Sequence, residues 1–502
     1  MHVFGLANPQ TLCEKAQRRP WVVFALIAIF FAIQMKWWWT PTPDAANYLS
    51  MARHFSQGEL QRLGSPHLRY APGFPLVIAP AFWIADRPFF FISLIQFSLA
   101  LCFAGGVYIW LRRYTETMAG PLTLLIMVNV SVWYVFQLTL SEIAFMTELI
   151  WAALALDRVI QSETAGQAAR WSVVAAPLLI LTCLTRQVGV LLVPAFGLLL
   201  AWRAVRGQTP WRQAMLRAAL VGVPVIGAVA GFSAWDHAVS SQLGASNKSY
   251  IEYFDDEQMT LAQQLLEGVR LRISEFGRLM IPGMFKAYGQ PGNWRHVSIP
   301  LYLSATVLLA AGWWSLARRR VDVLLLTLPV YVGFYVIWPF GQSTRYMVPM
   351  LPMLVLSLWA FMERFAQRRE AIVTLLIFTH AGVAMVYWVR DLDEARLSDD
   401  WPALAEVTRS IEGDEDSIAV LGFDKPSYWM LVLESDSPYP LQSRPEEIRS
   451  DTDWVIALAE TAHLSNFSEY KHVGRFKLFK RNRAGRRVEN TSATRPSATS
   501  RQ

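Results

Sequence analysis

Cysteine is scarce in this chain of 502 residues: three in all, at Cys13, Cys102 and Cys183. They fall in the N-terminal tail and in apolar runs, which excludes a disulfide framework and a zinc site. Charge is scarce too, with Asp, Glu, Lys and Arg making up 17% of the residues against 53% hydrophobic. A small-residue cleavage site is missing after the first apolar run, which continues into Met35-Lys36-Trp37-Trp38-Trp39 and so does not read as a cleaved signal peptide. What the chain has in quantity is long apolar runs. Stretches of about 18 to 22 residues recur over the first 390 positions, long enough to cross a bilayer. The chain therefore reads as a polytopic α-helical membrane protein. Its net charge of +7 calls for no nucleic acid, because Lys and Arg collect in cytoplasmic loops by the positive-inside rule.

Taken in order, the tail with Lys15, Arg18 and Arg19 stays inside. Spans follow at Trp21–Met35, Pro88–Leu111, Pro121–Leu138, a fourth ending near Leu156, Trp171–Leu184 and Val188–Trp202. Further spans run from Ala218 to Trp235, to the Arg318-Arg319-Arg320 cluster, and over Val321–Pro339, Tyr346–Met362 and Ala371–Val389. About eleven spans, with the N-terminus inside and the remainder outside, place every Arg cluster on the cytoplasmic side. A transmembrane domain thus occupies residues 1–389. Between Asn247 and Glu257 the long seventh loop is polar, and beyond it Leu261, Leu265, Val269, Ile273, Phe276 and Met280 share a helical face opposite Gln263, Glu267, Arg270 and Arg278. That pattern fits a helix lying in the membrane interface or one packed on the protein's own outer surface.

From Arg390 the composition becomes that of a soluble domain. A helix at Trp401–Ile411, strands at Ser417–Gly422 and Asp453–Leu458, a helix-like Arg444–Arg449 and a third strand at Phe476–Lys480 predict a small extracytoplasmic α/β domain over 390–482. No nucleophile, metal-ligand or phosphate-loop spacing occurs in it. The Ser-, Thr- and Arg-rich residues 483–502 read as a disordered tail.

The candidate chemistry lies where charge is out of place. In the first outer loop, Thr40 to Pro80, Pro41 and Pro43 block an earlier helix start and Asp44 can cap the helix that follows, on which Tyr48, Met51 and Phe55 recur at helical spacing. Arg69 through Pro75 forms a rigid turn back to the bilayer. Arg186 and Arg345 sit in short outer turns where insertion would not place them, and Glu142 and Glu148 sit at or within span ends, where charge is expensive. Asp44, Glu142, Arg186 and Arg345 thus share the outer membrane level. An acid beside guanidinium groups there suits a substrate with a phosphate to be read bidentately and a hydroxyl to be activated. A set of structural ion pairs between helix ends is the alternative, and Glu148, one turn deeper, reads as a packing residue.

Asp44 with Tyr48, then Tyr70-Ala71-Pro72-Gly73-Phe74-Pro75, Leu140-Ser141-Glu142, Leu184-Thr185-Arg186 and Arg345-Tyr346-Met347-Val348-Pro349 resemble, in order, the GT-C glycosyltransferase superfamily. The branch most similar contains the protein O-mannosyltransferases and the lipid A aminoarabinose transferases, and the resemblance covers about residues 20–390. It implies a sugar donor carried on a polyprenyl phosphate, transfer at the outer face, and Asp44 as the first-loop acid acting in catalysis. The branch often has Asp-Glu where this chain has Asp44-Ala45, which leaves the acceptor (lipid, glycan or protein) open. On this reading Asp44 deprotonates or orients the acceptor hydroxyl, Arg186 and Arg345, with Arg69, stabilise the departing phosphate, and Tyr48, Tyr70, Glu142 and Tyr346 complete the substrate site. A single base with direct displacement inverts the anomeric centre. A divalent cation between Asp44 and Glu142 stands as an alternative to electrostatics alone. An oligosaccharide ligase and a non-enzymatic polyprenyl-lipid transporter or flippase are the competing functions, the transporter calling for midplane charges or paired broken helices.

Overall fold

The computed structural model describes residues 19–63, 65, 68, 70–242, 260–281, 295–338, 344–365, 367–392, 401–411, 418–435, 441–442, 444–449, 452–460, 464 and 466–482. The chain divides into two compact units, Met1–Ser398 and Asp399–Gln502.

Within the first unit every predicted span coincides with a helix or helix pair. In order these are α1 (Pro20–Ala32), α2 (Pro43–Ser56, in the first loop), α3 (Gly73–Ile78, also in that loop), α4 (Phe89–Leu111), α5 (Ala119–Val128), α6 (Val130–Gln137), α7 (Glu142–Gln161) and α8 (Ala165–Thr185). Then come α9 (Leu192–Val205), α10 (Trp211–Gln242), α11 (Leu261–Met280), α12 (Arg295–Arg319), α13 (Val323–Ile337), α14 (Leu351–Phe365) and α15 (Arg369–Asp391). Among the described residues seven helices are long and apolar enough to cross a membrane, and the pair α5 and α6, bent by 51°, would make an eighth. The other expected spans fall short for definite reasons. Helices α1 and α13 have 13 and 15 residues, and α7 carries Glu142, Glu148, Asp157 and Arg158.

Helix α7 tolerates those charges because nearly all of it is buried among other helices. At its far end, about 22 Å from Glu142 by helical rise, Asp157 pairs with Arg113 at 2.5 Å and accepts from the Val323 amide. Beside it Asp322 caps α13 and accepts from Trp110 Nε1 and Tyr114 Oη at 2.8 and 2.7 Å. Together these two buried carboxylates staple α7, α13 and the end of α4. The bend between α5 and α6 also has a local cause: the Asn129 side chain leaves the helical ladder to cap α6 at the Ser131 amide, while its amide nitrogen donates to the Leu279 carbonyl of α11.

Helix α11 packs on the protein through its second half and leaves the apolar side chains of its first half exposed. A capping box between Thr260 and Gln263 starts it, but its buried face carries Gly268, Arg272, Glu275, Phe276 and Leu279, while Leu261, Leu265 and Val269 are exposed. Its second half packs on the protein because Gly268 lets the backbone meet the Val336 carbonyl, where any Cβ would collide. Arg272 enters this interface paired with Glu275 at 3.1 Å and lying over the Tyr335 ring. An apolar-face rule misses such a placement because the charges cancel locally and an aromatic ring takes the place of water.

The second unit holds a five-stranded sheet of order β2-β1-β3-β5-β4, with β1 Ile418–Leu421, β2 Leu441–Gln442, β3 Trp454–Leu458, β4 Phe467–Val473 and β5 Phe476–Arg481. Strands β1, β2 and β3 are parallel, and β5 runs antiparallel to both β3 and β4. The continuous apolar runs Ile418–Leu421 and Trp454–Ile456 are buried throughout, as the central strands of a covered sheet must be. Helices Trp401–Arg409 and Lys425–Ser435 complete the unit. Two sequence expectations are corrected here. Arg444–Arg449 holds only the short 3₁₀ turn Pro445–Glu447, since Pro445 starts a turn that does not propagate. Edge strand β4 went unpredicted because its residues alternate weakly and most are exposed. The expected polar stretch 247–257 and tail 483–502 lie outside the described residues.

Candidate active site

The first outer loop builds one side of the site. Helix α2 starts at Pro43, and the capping side chain is Thr42, whose Oγ1 accepts from the Ala45 amide. This corrects the sequence expectation that Asp44 caps the helix. Asp44 is instead in the first turn, where a carboxylate is favoured by the helix dipole, and its oxygens point to other partners. Oδ1 accepts from Tyr70 Oη at 3.2 Å, and Oδ2 pairs with Arg345 Nη2 at 2.5 Å. One turn on, the Tyr48 ring packs edge-on against Tyr70 and Phe74, and its hydroxyl lies 3.3 Å from Ser141 Oγ. Burial pushes the Tyr48 hydroxyl well above its ordinary pKa, so it serves as a neutral hydrogen-bonding group.

The opposite side comes from helix ends. Glu142 opens α7, is 1% exposed, and holds Arg186 Nη1 at 2.6 Å and Arg345 Nε at 3.6 Å. Arg186 sits where α8 ends, with an extended backbone between α8 and the 3₁₀ turn Gln187–Leu191. Its guanidinium lies over the Tyr346 ring at 4.7 Å. Burial alone would favour the neutral form, but Glu142 more than offsets it, and the Arg186 pKa is pushed above its usual value. Arg345 and Tyr346 come from the 3₁₀ segment Thr344–Met350, tethered by Tyr331 Oη donating to the Tyr346 carbonyl at 2.8 Å. The two walls meet because Gly73 brings α3 directly against the Thr185 backbone, with no room for a Cβ.

Asp44, Glu142, Arg186 and Arg345 therefore form one alternating quartet of two acids and two guanidiniums. They line a cavity of about 630 Å³ together with Tyr48, Tyr70 and Tyr346. Most of the remaining wall is apolar or aromatic, with Val188, Val190 and Leu191 beside the α8 break and Phe334, Tyr335 and Trp338 at the end of α13, while Thr185 and Gln187 add polar groups. Of the sequence candidates, Arg69 lies outside the described residues, and all the others line this cavity. Glu148 is buried away from it. The sequence reading has Thr185 only as part of a motif and missed Phe334, Tyr335 and Trp338. The one available signal was aromatic clustering at the end of an apolar helix, which reads equally well as an interfacial belt.

No protein-family model and no curated relative matches the sequence. Solved structures do match in three dimensions. ArnT from Cupriavidus metallidurans bound to undecaprenyl phosphate aligns with a TM-score of 0.60 and 11% identity over 93% of this chain and 99% of that one. The Archaeoglobus fulgidus oligosaccharyltransferase in complex with Zn and sulfate aligns with a TM-score of 0.53 and 11% identity over 87% of this chain and 68% of that one. The fold is that of the GT-C glycosyltransferases. The apolar helices of the first unit, seven or eight of them long enough to cross a membrane among the described residues, support a multi-pass membrane protein.

A resident divalent cation does not fit this cavity as the chain arranges it. The two carboxylates that would ligate it, Asp44 and Glu142, are turned to guanidinium groups, which repel a cation. No group of three or more His, Cys, Asp or Glu side chains converges among the described residues.

Proposed function

We propose that this protein is a glycosyltransferase that moves a sugar from a polyprenyl-phosphate carrier to an acceptor hydroxyl on a lipid, glycan or protein at the outer face of the cell membrane. The observation that carries the reading is the cavity itself. Two carboxylates and two guanidiniums share it with aliphatic and aromatic side chains, which offers guanidiniums to an anionic head and an apolar wall to a prenyl tail. The fold-level likeness to ArnT bound to undecaprenyl phosphate adds support.

Asp44 is the general base, taking the proton of the acceptor hydroxyl as its oxygen attacks the anomeric carbon. Arg345 and Arg186 face the phosphate as it leaves and takes up charge, and Tyr70 and Tyr48 orient the polar end of the sugar. Glu142 holds both guanidiniums in place, since it contacts each of them. One base and one displacement give inversion. About eleven spans, a cytoplasmic N-terminus, a membrane domain over 1–389 and an extracytoplasmic domain over 390–482 complete the proposal, consistent with transfer away from nucleotide-sugar pools.

The test is Asp44→Asn. Thr42 is the helix cap, so the change leaves the helix start intact while it removes the base and the charge that pairs with Arg345. Transfer from a radiolabelled polyprenyl-phosphate sugar should fall by a hundredfold or more, on the order of a full general-base contribution. Transfer at the unmutated rate would remove Asp44 from the chemistry.

A further inference from the structure

In the resting site Arg345 is already occupied. Its Nη2 is bound to Asp44 Oδ2 at 2.5 Å and its Nε faces Glu142 at 3.6 Å, with the Tyr346 ring beneath its guanidinium. Asp44 cannot act freely as a base while it holds that guanidinium, and Arg345 cannot fully engage a phosphate while it holds Asp44. Arg186 is different: its short contact is with Glu142, which has no part in proton transfer. The Asp44–Arg345 pair is also the more exposed of the two, with side chains 25% and 22% accessible, whereas Glu142 is 1% exposed. It is therefore the pair that an incoming anion can open at the smaller cost.

We propose that Arg345 is shared between Asp44 and the carrier phosphate, and is handed from one to the other during the reaction, so that Asp44 becomes a base only when the donor is in place. This rests on the transfer reaction proposed above. The charges balance across the step. The donor is a phosphodiester with one negative charge. As the acceptor oxygen forms its bond to the anomeric carbon, the carbon–oxygen bond to the phosphate breaks and its electron pair stays on the phosphate. The hydroxyl proton passes to Asp44. The carrier leaves as a monoester with a second negative charge, and Asp44 becomes neutral. Asp44 thus loses its hold on Arg345 as the phosphate gains one, and the sum over the quartet and its ligand does not change. Donor binding before acceptor activation follows directly.

The experiment is equilibrium binding of radiolabelled polyprenyl monophosphate, the spent carrier, to the purified full-length protein in detergent micelles, run beside the transfer assay. Sharing makes Asp44 a competitor of the phosphate. Asp44→Asn should therefore bind the monophosphate more tightly than the unmutated protein, on the order of fivefold, while failing to transfer. The gain should vanish in the Asp44→Asn/Arg345→Ala double variant. Should the asparagine variant fail to fold, Asp44→Ala removes the same competitor. Equal or weaker binding in an inactive variant would overturn the hand-over and leave Asp44 as base. Unimpaired transfer would overturn Asp44 as base and the hand-over with it.

Discussion

Replacing Glu142 by glutamine should show what holds the guanidinium pair at the site. Glu142 is 1% exposed and touches both Arg186 and Arg345, whose side chains are 12% and 22% exposed. Breaking a buried ion pair from one side costs about 3 to 5 kcal/mol, because the surviving charge is left without compensation. Water reaches both arginines, which places this case near the lower end, about 3 kcal/mol. The glutamine carbonyl can still accept from Arg186, returning about 1 kcal/mol. The expected loss for Glu142→Gln is therefore about 2 kcal/mol, and for Glu142→Ala about 3 kcal/mol. The readout is the denaturant midpoint of purified protein in detergent, with donor consumption measured on the same preparations. Adding Arg186→Met to Glu142→Gln should cost less than the two single changes together, since it removes a charge that has already lost its partner. A Glu142→Gln protein within about 0.5 kcal/mol of the unmutated one, with strictly additive behaviour in the double variant, would refute the counter-charge role.

Three further outcomes are expected. Arg345→Lys keeps the charge but loses the planar fork, so donor use should fall about tenfold, and Arg345→Ala should fall a hundredfold or more with the melting temperature little changed; normal turnover in the alanine variant would exclude phosphate contact. Gly73→Ala places a Cβ against Thr185 Oγ1 and the Thr185 backbone, and should cost about 1 to 3 kcal/mol in the same denaturant assay while impairing transfer; a neutral result would mean that α3 is not seated against α8. Single cysteines placed at Ser65 and Ser468 should both react with a membrane-impermeant thiol reagent in intact cells, and protection of Ser468 alone would mean an odd error in the span count.

Much of this architecture is legible in the sequence because lipid imposes one rule everywhere: apolar runs must be helices. Asp44, Glu142, Arg186 and Arg345 were recognisable for the converse reason, as charges at positions where insertion gives none. What escaped the sequence depends on contacts with other elements. Asp44 reads as a cap, yet Thr42 two residues earlier takes that place and frees the carboxylate for Arg345. Helix α11 reads as apolar on one face, yet it buries Arg272 and Glu275 as an ion pair, with Arg272 over the Tyr335 ring of the neighbouring helix α13. Tyr335 and Trp338 belong to the site only because α13 ends beside it, which no pattern within α13 records.

The quartet also bears on how the protein can be made. Its members come from four segments, and the Asp44–Arg345 pair joins residues 301 positions apart. A ribosome delivers Asp44, Glu142 and Arg186 to the membrane well before Arg345 exists. Until the Thr344–Met350 segment arrives, Asp44 has Tyr70 but lacks Arg345, and the cavity lacks the side that segment supplies. A product ending before Arg345 would lack the guanidinium that pairs with Asp44, so the proposed reaction would have no complete site until that segment is in place.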